Sequence, residues 1–119
     1  MGVPSMLFDR PLGSIMEKPH KNRIISRRKF REFLQGHPEH RKAKAIFDEF
    51  YRTLLHARWK NFAAVRETYG DASLVGKFVV FNLGGNKFRV IVELNYNKCR
   101  FLIRHVLTHP EYNQDKWKS

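Results

Sequence analysis

A single cysteine, Cys99, can close no intramolecular disulfide and supply no multi-thiolate zinc site, so the chain makes no demand for an oxidising compartment and the cytoplasm is the default setting. No apolar run approaches the ~18 residues of a membrane span, and residues 1–22 lack the continuous apolar stretch of a signal peptide, so neither anchoring nor export is expected. Internal repeats and low-complexity tracts are missing. So are paired acids spaced for glycosidase work, a glycine-rich phosphate loop and a Ser-His-Asp constellation. Acidic residues are also scarce: 11 Asp and Glu stand against 23 Lys and Arg, a formal charge of +12. So dense a positive field points to a polyanionic partner, nucleic acid first and an acidic protein second.

What is present is enough to fold. The 119 residues suit one domain, and 42% hydrophobic with 13% aromatic residues excludes a mostly disordered chain. Residues 1–22 mix Gly2, Pro4, Pro11, Gly13 and Pro19 with few regularly spaced apolar residues and read as a flexible extension to a domain over 23–119. Arg23-Ile24-Ile25 is a short strand, followed by Ser26 as the expected N-cap of a helix with Phe30, Phe33 and Leu34 on one face. Gly36 and Pro38 end it. A second helix from Pro38 keeps Ala43, Ile46, Phe47, Phe50, Leu54 and Ala57 together, a short third one follows in "WKNFAAVRETYG", and "DASLVG" reads as a connector.

From Lys77 the period changes from helical to two. Phe78–Leu83, Lys87–Asn95 and Cys99–Thr108 are strands joined by turns at Gly84-Gly85-Asn86 and Tyr96-Asn97-Lys98. The expected class is α+β, a small, mainly antiparallel sheet with two N-terminal helices packed on one face. On the last strand Cys99, Phe101, Ile103 and Leu107 form the expected apolar set, with Arg100, Leu102, Arg104, Val106 and Thr108 opposed. A turn at Tyr96-Asn97 would set Arg89 across from Arg104, and one at Asn97-Lys98 would leave them diagonal; either register brings two guanidinium groups together near Lys87. Like charges so placed suit a phosphate, which arginine grips with paired hydrogen bonds, although solvated, separately splayed arginines give the same pattern. His109, beside Pro110 and just before Tyr112, stands where the chain leaves the sheet, and histidine is the residue type that trades protons near neutrality. His37, His40 and His56 fall in helical or turn context without metal-ligand company and read as structural.

The stretches "RIISRRKFREFLQGHPE", "WKNFAAVRETYGDASLVGKFVVFNLGGNKFRVIV" and "IRHVLTHPEYN" resemble the HigB toxins of bacterial type II toxin–antitoxin systems, members of the RelE-like messenger-RNA interferases, over about Arg23 to Tyr112. The resemblance implies a RelE-like β-α-α-β-β-β fold and metal-independent endoribonuclease action on messenger RNA without a cofactor, at the ribosomal A site. It also implies neutralisation by a HigA-type helix-turn-helix antitoxin, through which alone operator DNA is bound. The chemistry is attack of a ribose 2′-hydroxyl on the adjacent phosphodiester, which needs a base, an acid and cationic stabilisation. Carried onto this chain, the resemblance makes His109 the proton-transfer residue and has Arg89 and Arg104 hold the phosphate. Lys87 would stabilise developing charge and Tyr112 stack on a base or position the hydroxyl, while Lys60, Asn61, Asn86 and Arg100 would contact RNA. The rival reading is a non-catalytic RNA- or ribosome-binding module on the same fold.

Overall fold

A computed structural model describes residues 20–118, so most of the expected extension, residues 1–19, lies outside the described residues. The remainder of that extension is packed. Asn22 is buried and its amide donates to the carbonyls of Leu54 and Ala57, at 2.8 and 2.7 Å, while its backbone N–H donates to Leu55 O. One side chain thereby satisfies carbonyls that the end of a helix leaves orphaned.

Strand β1 (Arg23–Ile25) leads into α1 (Arg28–Gly36). Ser26 does not cap that helix: it takes φ +67, Arg27 occupies the cap position, and no side chain closes the first turn. After Gly36 the chain turns through a 3-10 segment, Pro38–Ala43, whose His40 departs from helical geometry (φ −110, ψ 22), before α2 (Lys44–His56). The expected continuous helix from Pro38 is therefore broken at His40. A short α3 (Phe62–Thr68) begins at Asn61, whose side chain accepts from Ala64 N at 3.0 Å.

The sheet has five strands in the order β1-β5-β4-β3-β2, with β2 at Ser73–Val75, β3 at Phe78–Leu83, β4 at Phe88–Asn95 and β5 at Arg100–Thr108. Only β1 runs parallel to its neighbour, β5; the other pairings are antiparallel. The "DASLVG" connector thus supplies an edge strand, too short and too exposed for periodicity to reveal. In the β3–β4 turn Gly84, Gly85 and Asn86 all take positive φ, and a Cβ on Gly84 would stand 2.8 Å from the Phe88 ring, so this turn needs glycine there.

Phe30, Phe33, Phe47, Phe50 and Leu54 from the helices bury against Val79, Phe81, Val90, Val92, Phe101 and Ile103 from one face of the sheet. Each such Phe contributes about 1.5–3 kcal/mol by burial, and this face holds the larger of the two apolar clusters. The opposite face is not simply solvated. Val80 and Ile91 carry a second, smaller cluster with Val75, Phe78 and Leu107, closed by the C-terminal segment through Tyr112 and the buried Trp117. Among the described residues no helix is long and apolar enough to cross a membrane.

A β-bulge in β5 corrects the expected facing of its second half. Ile91 pairs with His105 and Val92 with Ile103, which leaves Arg104 as the extra residue. One inserted residue reverses the in–out alternation beyond it. Val106 and Thr108 therefore align with Val90 and Phe88 on the helix-bearing face, whereas His105 and Leu107 align with Ile91 and Arg89 on the other.

Candidate functional site

The register at the β4–β5 turn is the one that was expected to leave the two arginines diagonal, and the bulge then moves them one residue further apart. Arg89 lies opposite Leu107, three residues and about 10 Å of strand beyond Arg104. Arg89 is only 7% exposed; its guanidinium donates to Asn86 O at 3.1 Å and Phe88 O at 3.3 Å and lies 5.5 Å from the centre of the Tyr112 ring. Arg104 is exposed, 3.9 Å from the Glu93 carboxylate and 5.8 Å from the Phe78 ring centre. The two guanidinium groups are therefore not cross-strand partners, and each has its own contacts.

Three other expected RNA contacts are also remote or otherwise engaged. Arg100 stands at the start of β5, opposite Asn95, about 26 Å of strand from Thr108. Lys60 is exposed on a separate shallow cleft with Lys77, Glu93, Asn95 and Asn97. Asn61 spends its side-chain oxygen on the α3 cap.

Three of the remaining candidates, Asn86, Lys87 and His109, do come together. The last α-helix among the described residues, α4 (His109–Asn113), starts at the residue after β5 because Thr108 and Glu111 form a capping box. The Thr108 hydroxyl accepts from Glu111 N at 3.3 Å and the Glu111 carboxylate from Thr108 N at 2.9 Å. His109 N donates to Lys87 O at 2.9 Å, which fixes the start of α4 against the β3–β4 turn. Around this junction lies an open cleft of about 560 Å³ lined by His37, His40, Asn86, Lys87, His109 and Glu111 among others. Lys87 and Asn86 are at its rim, and Arg89 approaches from behind through the Asn86 carbonyl. Tyr112 is turned to the other face of the sheet, stacked on Trp117 at 5.3 Å between centroids and beneath Arg89.

Two histidines read as structural belong to this cleft. His37 presents Nδ1 to Phe33 O at 2.8 Å and Nε2 to Glu111 Oε2 at 2.9 Å, and its ring stacks on Phe33. Both partners are acceptors, so only the doubly protonated imidazolium donates to both. Partial burial works against that charge, but the bonds to Glu111 and Phe33 O and the nearby Glu111 and Glu39 carboxylates outweigh it, and the pKa of His37 is raised above the ordinary histidine value. Glu111 moves the other way: burial pushes it up, while its bonds to Thr108 and His37 prevail and lower it. His40 stands edge-on to Phe88 at 5.1 Å. The spacing His37-x-x-His40 just after Gly36 was the available signal, since a helix that stops there puts both rings at a corner. His105, brought to the Trp117 side by the bulge, is held below the ordinary histidine value by burial and then by the charges of Lys29 and Arg104.

An imidazole and an ammonium on one open cleft are residue types able to exchange a proton with an anionic substrate and to neutralise it. Residues 43–115 match the HigB toxin family, described as the RelE-like toxic component of a toxin–antitoxin system. The mRNA interferase toxin HigB of Escherichia coli is 23% identical over 90 residues, covering 76% of this chain and 86% of that protein, and the mRNA interferase HigB of Shigella flexneri aligns equally well. An mRNA interferase HigB from another Escherichia coli strain is 27% identical over 94 residues, covering 76% and 88%. With the family match spanning more than half of its length, the chain belongs to the HigB toxins, the RelE-like toxic components of toxin–antitoxin systems.

Proposed function

We propose that this toxin is a messenger-RNA endoribonuclease whose reaction takes place in the cleft between the 3-10 segment, the β3–β4 turn and α4. The observation that carries the reading is the convergence there of His109, Lys87 and Asn86, with Arg89 held against the Asn86 carbonyl. His109 accepts the proton of a ribose 2′-hydroxyl as that oxygen bonds to the neighbouring phosphorus. The bond from phosphorus to the 5′-oxygen breaks, and the leaving oxygen takes up a proton. Lys87 stabilises the charge that builds on the phosphorane-like transition state, from a turn that Arg89 holds in place through the Asn86 carbonyl, and no metal ion is required. The products are a 2′,3′-cyclic phosphate or 3′-phosphate and a 5′-hydroxyl. Mapping the 5′ ends of transcripts after induced expression tests this: hydroxyl ends are expected, and 5′-phosphates would overturn the mechanism. Ribosome binding with no cleavage at all would instead establish the non-catalytic module.

Cleavage takes place in the cytoplasm on the translating ribosome, whose decoding site presents the message, and a HigA-type helix-turn-helix antitoxin blocks it and alone contacts operator DNA. The distribution of charge supports the ribosomal setting. Between Arg23 and Lys60 eleven basic residues stand against four acidic ones, and Arg27, Arg28, Arg31 and Lys44 line one groove between α1 and α2. Such a surface meets ribosomal RNA phosphates while the cleft takes the message. Ribosome binding is accordingly expected to weaken steeply with salt, by about a thousandfold or more from 50 to 200 mM if six or more phosphates are neutralised. An affinity nearly constant over that range would show that the charge serves another purpose.

A further inference from the structure

The contact between His37 and Glu111 joins residues 74 positions apart and is not needed by either helix for its own hydrogen bonding. Glu111 already completes the α4 capping box through its other oxygen, Oε1, and α1 has ended before His37. What the contact does is tie the corner after α1 to the first turn of α4, whose first residue is His109. Glu39 and His40 face the tie from the 3-10 segment, Lys87 from the β3–β4 turn and His109 from α4. The ring is stacked on Phe33 and anchored to Phe33 O, so it is a fixed post rather than a free side chain. A loose first turn would move His109 relative to Lys87, whose carbonyl its backbone N–H holds.

We propose that His37 is a positioning residue of the cleavage site: its ring straps the Glu111 end of α4 to the corner after α1 and so holds His109 at the reacting phosphate. The inference rests on the functional reading above and adds a residue that does not touch the substrate. The strap is strongest while Glu111 is ionised and His37 protonated. Glu111, with its depressed pKa, holds its share down to acidic pH, whereas the His37 contribution is complete below about 6.5 and is lost as pH rises through its raised folded value.

Single-turnover cleavage of a defined message on purified ribosomes would test it. His37→Gln keeps a donor for Glu111 but cannot carry the charge, and Glu111→Gln preserves the capping box, which accepts either side chain, while removing the anion. Each is expected to lower the maximal rate about 10- to 100-fold, with half-saturation unchanged within about twofold, because a small misplacement of a catalytic group costs rate and not binding. The double variant should be little slower than either single one. Loss of rate on the alkaline side, expected where wild-type His37 gives up its proton, should be absent from His37→Gln. Ring resonances of His37 in the wild-type protein should titrate above those of an unstructured histidine, and below their wild-type midpoint in Glu111→Gln, which tests the strap even if a His37 variant folds poorly. Wild-type rates in both single variants, or fully additive losses in the double, would overturn the strap. If those rates held while His109→Gln abolished cleavage, the strap alone would fall; if His109→Gln itself cleaved normally, the functional reading would fall and the strap with it.

Discussion

Replacing His109 by glutamine is expected to slow cleavage a hundredfold to ten-thousandfold, the range for loss of a positioned acid–base group, and to leave the protein as stable as the parent. The stability half of the expectation follows from where the residue's structural contact lies. His109 N donates to Lys87 O through the backbone, which any side chain except proline preserves, and the α4 cap is made by Thr108 and Glu111. The side chain itself is half-buried at the cleft edge and makes no hydrogen bond that glutamine would leave broken among the described residues. Growth arrest on induction should disappear together with transcript cleavage. A variant that still cleaved within about threefold of wild type, or whose lost activity tracked a lower melting temperature, would remove His109 from the chemistry.

The strands from Phe78 onward were legible because each is long enough for alternation to show, and Gly84-Gly85 marks the first turn; the second runs one residue longer than expected, since Cys99, read as the start of the strand, takes positive φ before Arg100. The helices were legible from Phe30, Phe33, Phe47, Phe50 and Leu54, whose spacing can bury only one face. Three features were not. Strand β2 is three residues with Leu74 largely exposed, so no period identifies it. The bulge at Arg104 is decided by tertiary packing, because nothing in "RFLIRHVLT" distinguishes a shifted register from a regular one until Trp117 is known to sit against Ile91. The His37–Glu111 contact spans most of the chain and depends on where α1 stops, a boundary that local sequence places only within a residue or two. For the candidate cleft this means that the lining residues on one turn and one helix start were readable, while partners brought in from the other end of the chain were not.

The bulge separates the roles of the two arginines and so fixes opposite outcomes for their removal. Arg104→Ala deletes an exposed guanidinium whose ion-pair distance to Glu93 is 3.9 Å, a contact of about 0–1 kcal/mol, so neither melting nor cleavage should change by much. Arg89→Ala should do both kinds of damage. Its buried guanidinium donates to the part-buried Asn86 O and the buried Phe88 O and lies over Tyr112, and leaving a buried acceptor without that donor costs about 1–3 kcal/mol, several degrees of melting temperature in a chain of this size. Loss of the bond that fixes the Asn86 carbonyl should also loosen the turn that carries Lys87 and slow cleavage about 10- to 100-fold, the cost of a misplaced catalytic group. Arg89→Lys separates the two effects, since it keeps a cation but not the planar fork: partial recovery of rate with incomplete recovery of melting is expected. Measured together, single-turnover rates and melting curves of the three variants decide the matter. Equal losses of activity in Arg104→Ala and Arg89→Ala, with neither variant melting lower, would mean that the two guanidinium groups act on one phosphate after all, and the cleft at the start of α4 would no longer be the place where the RNA is cut.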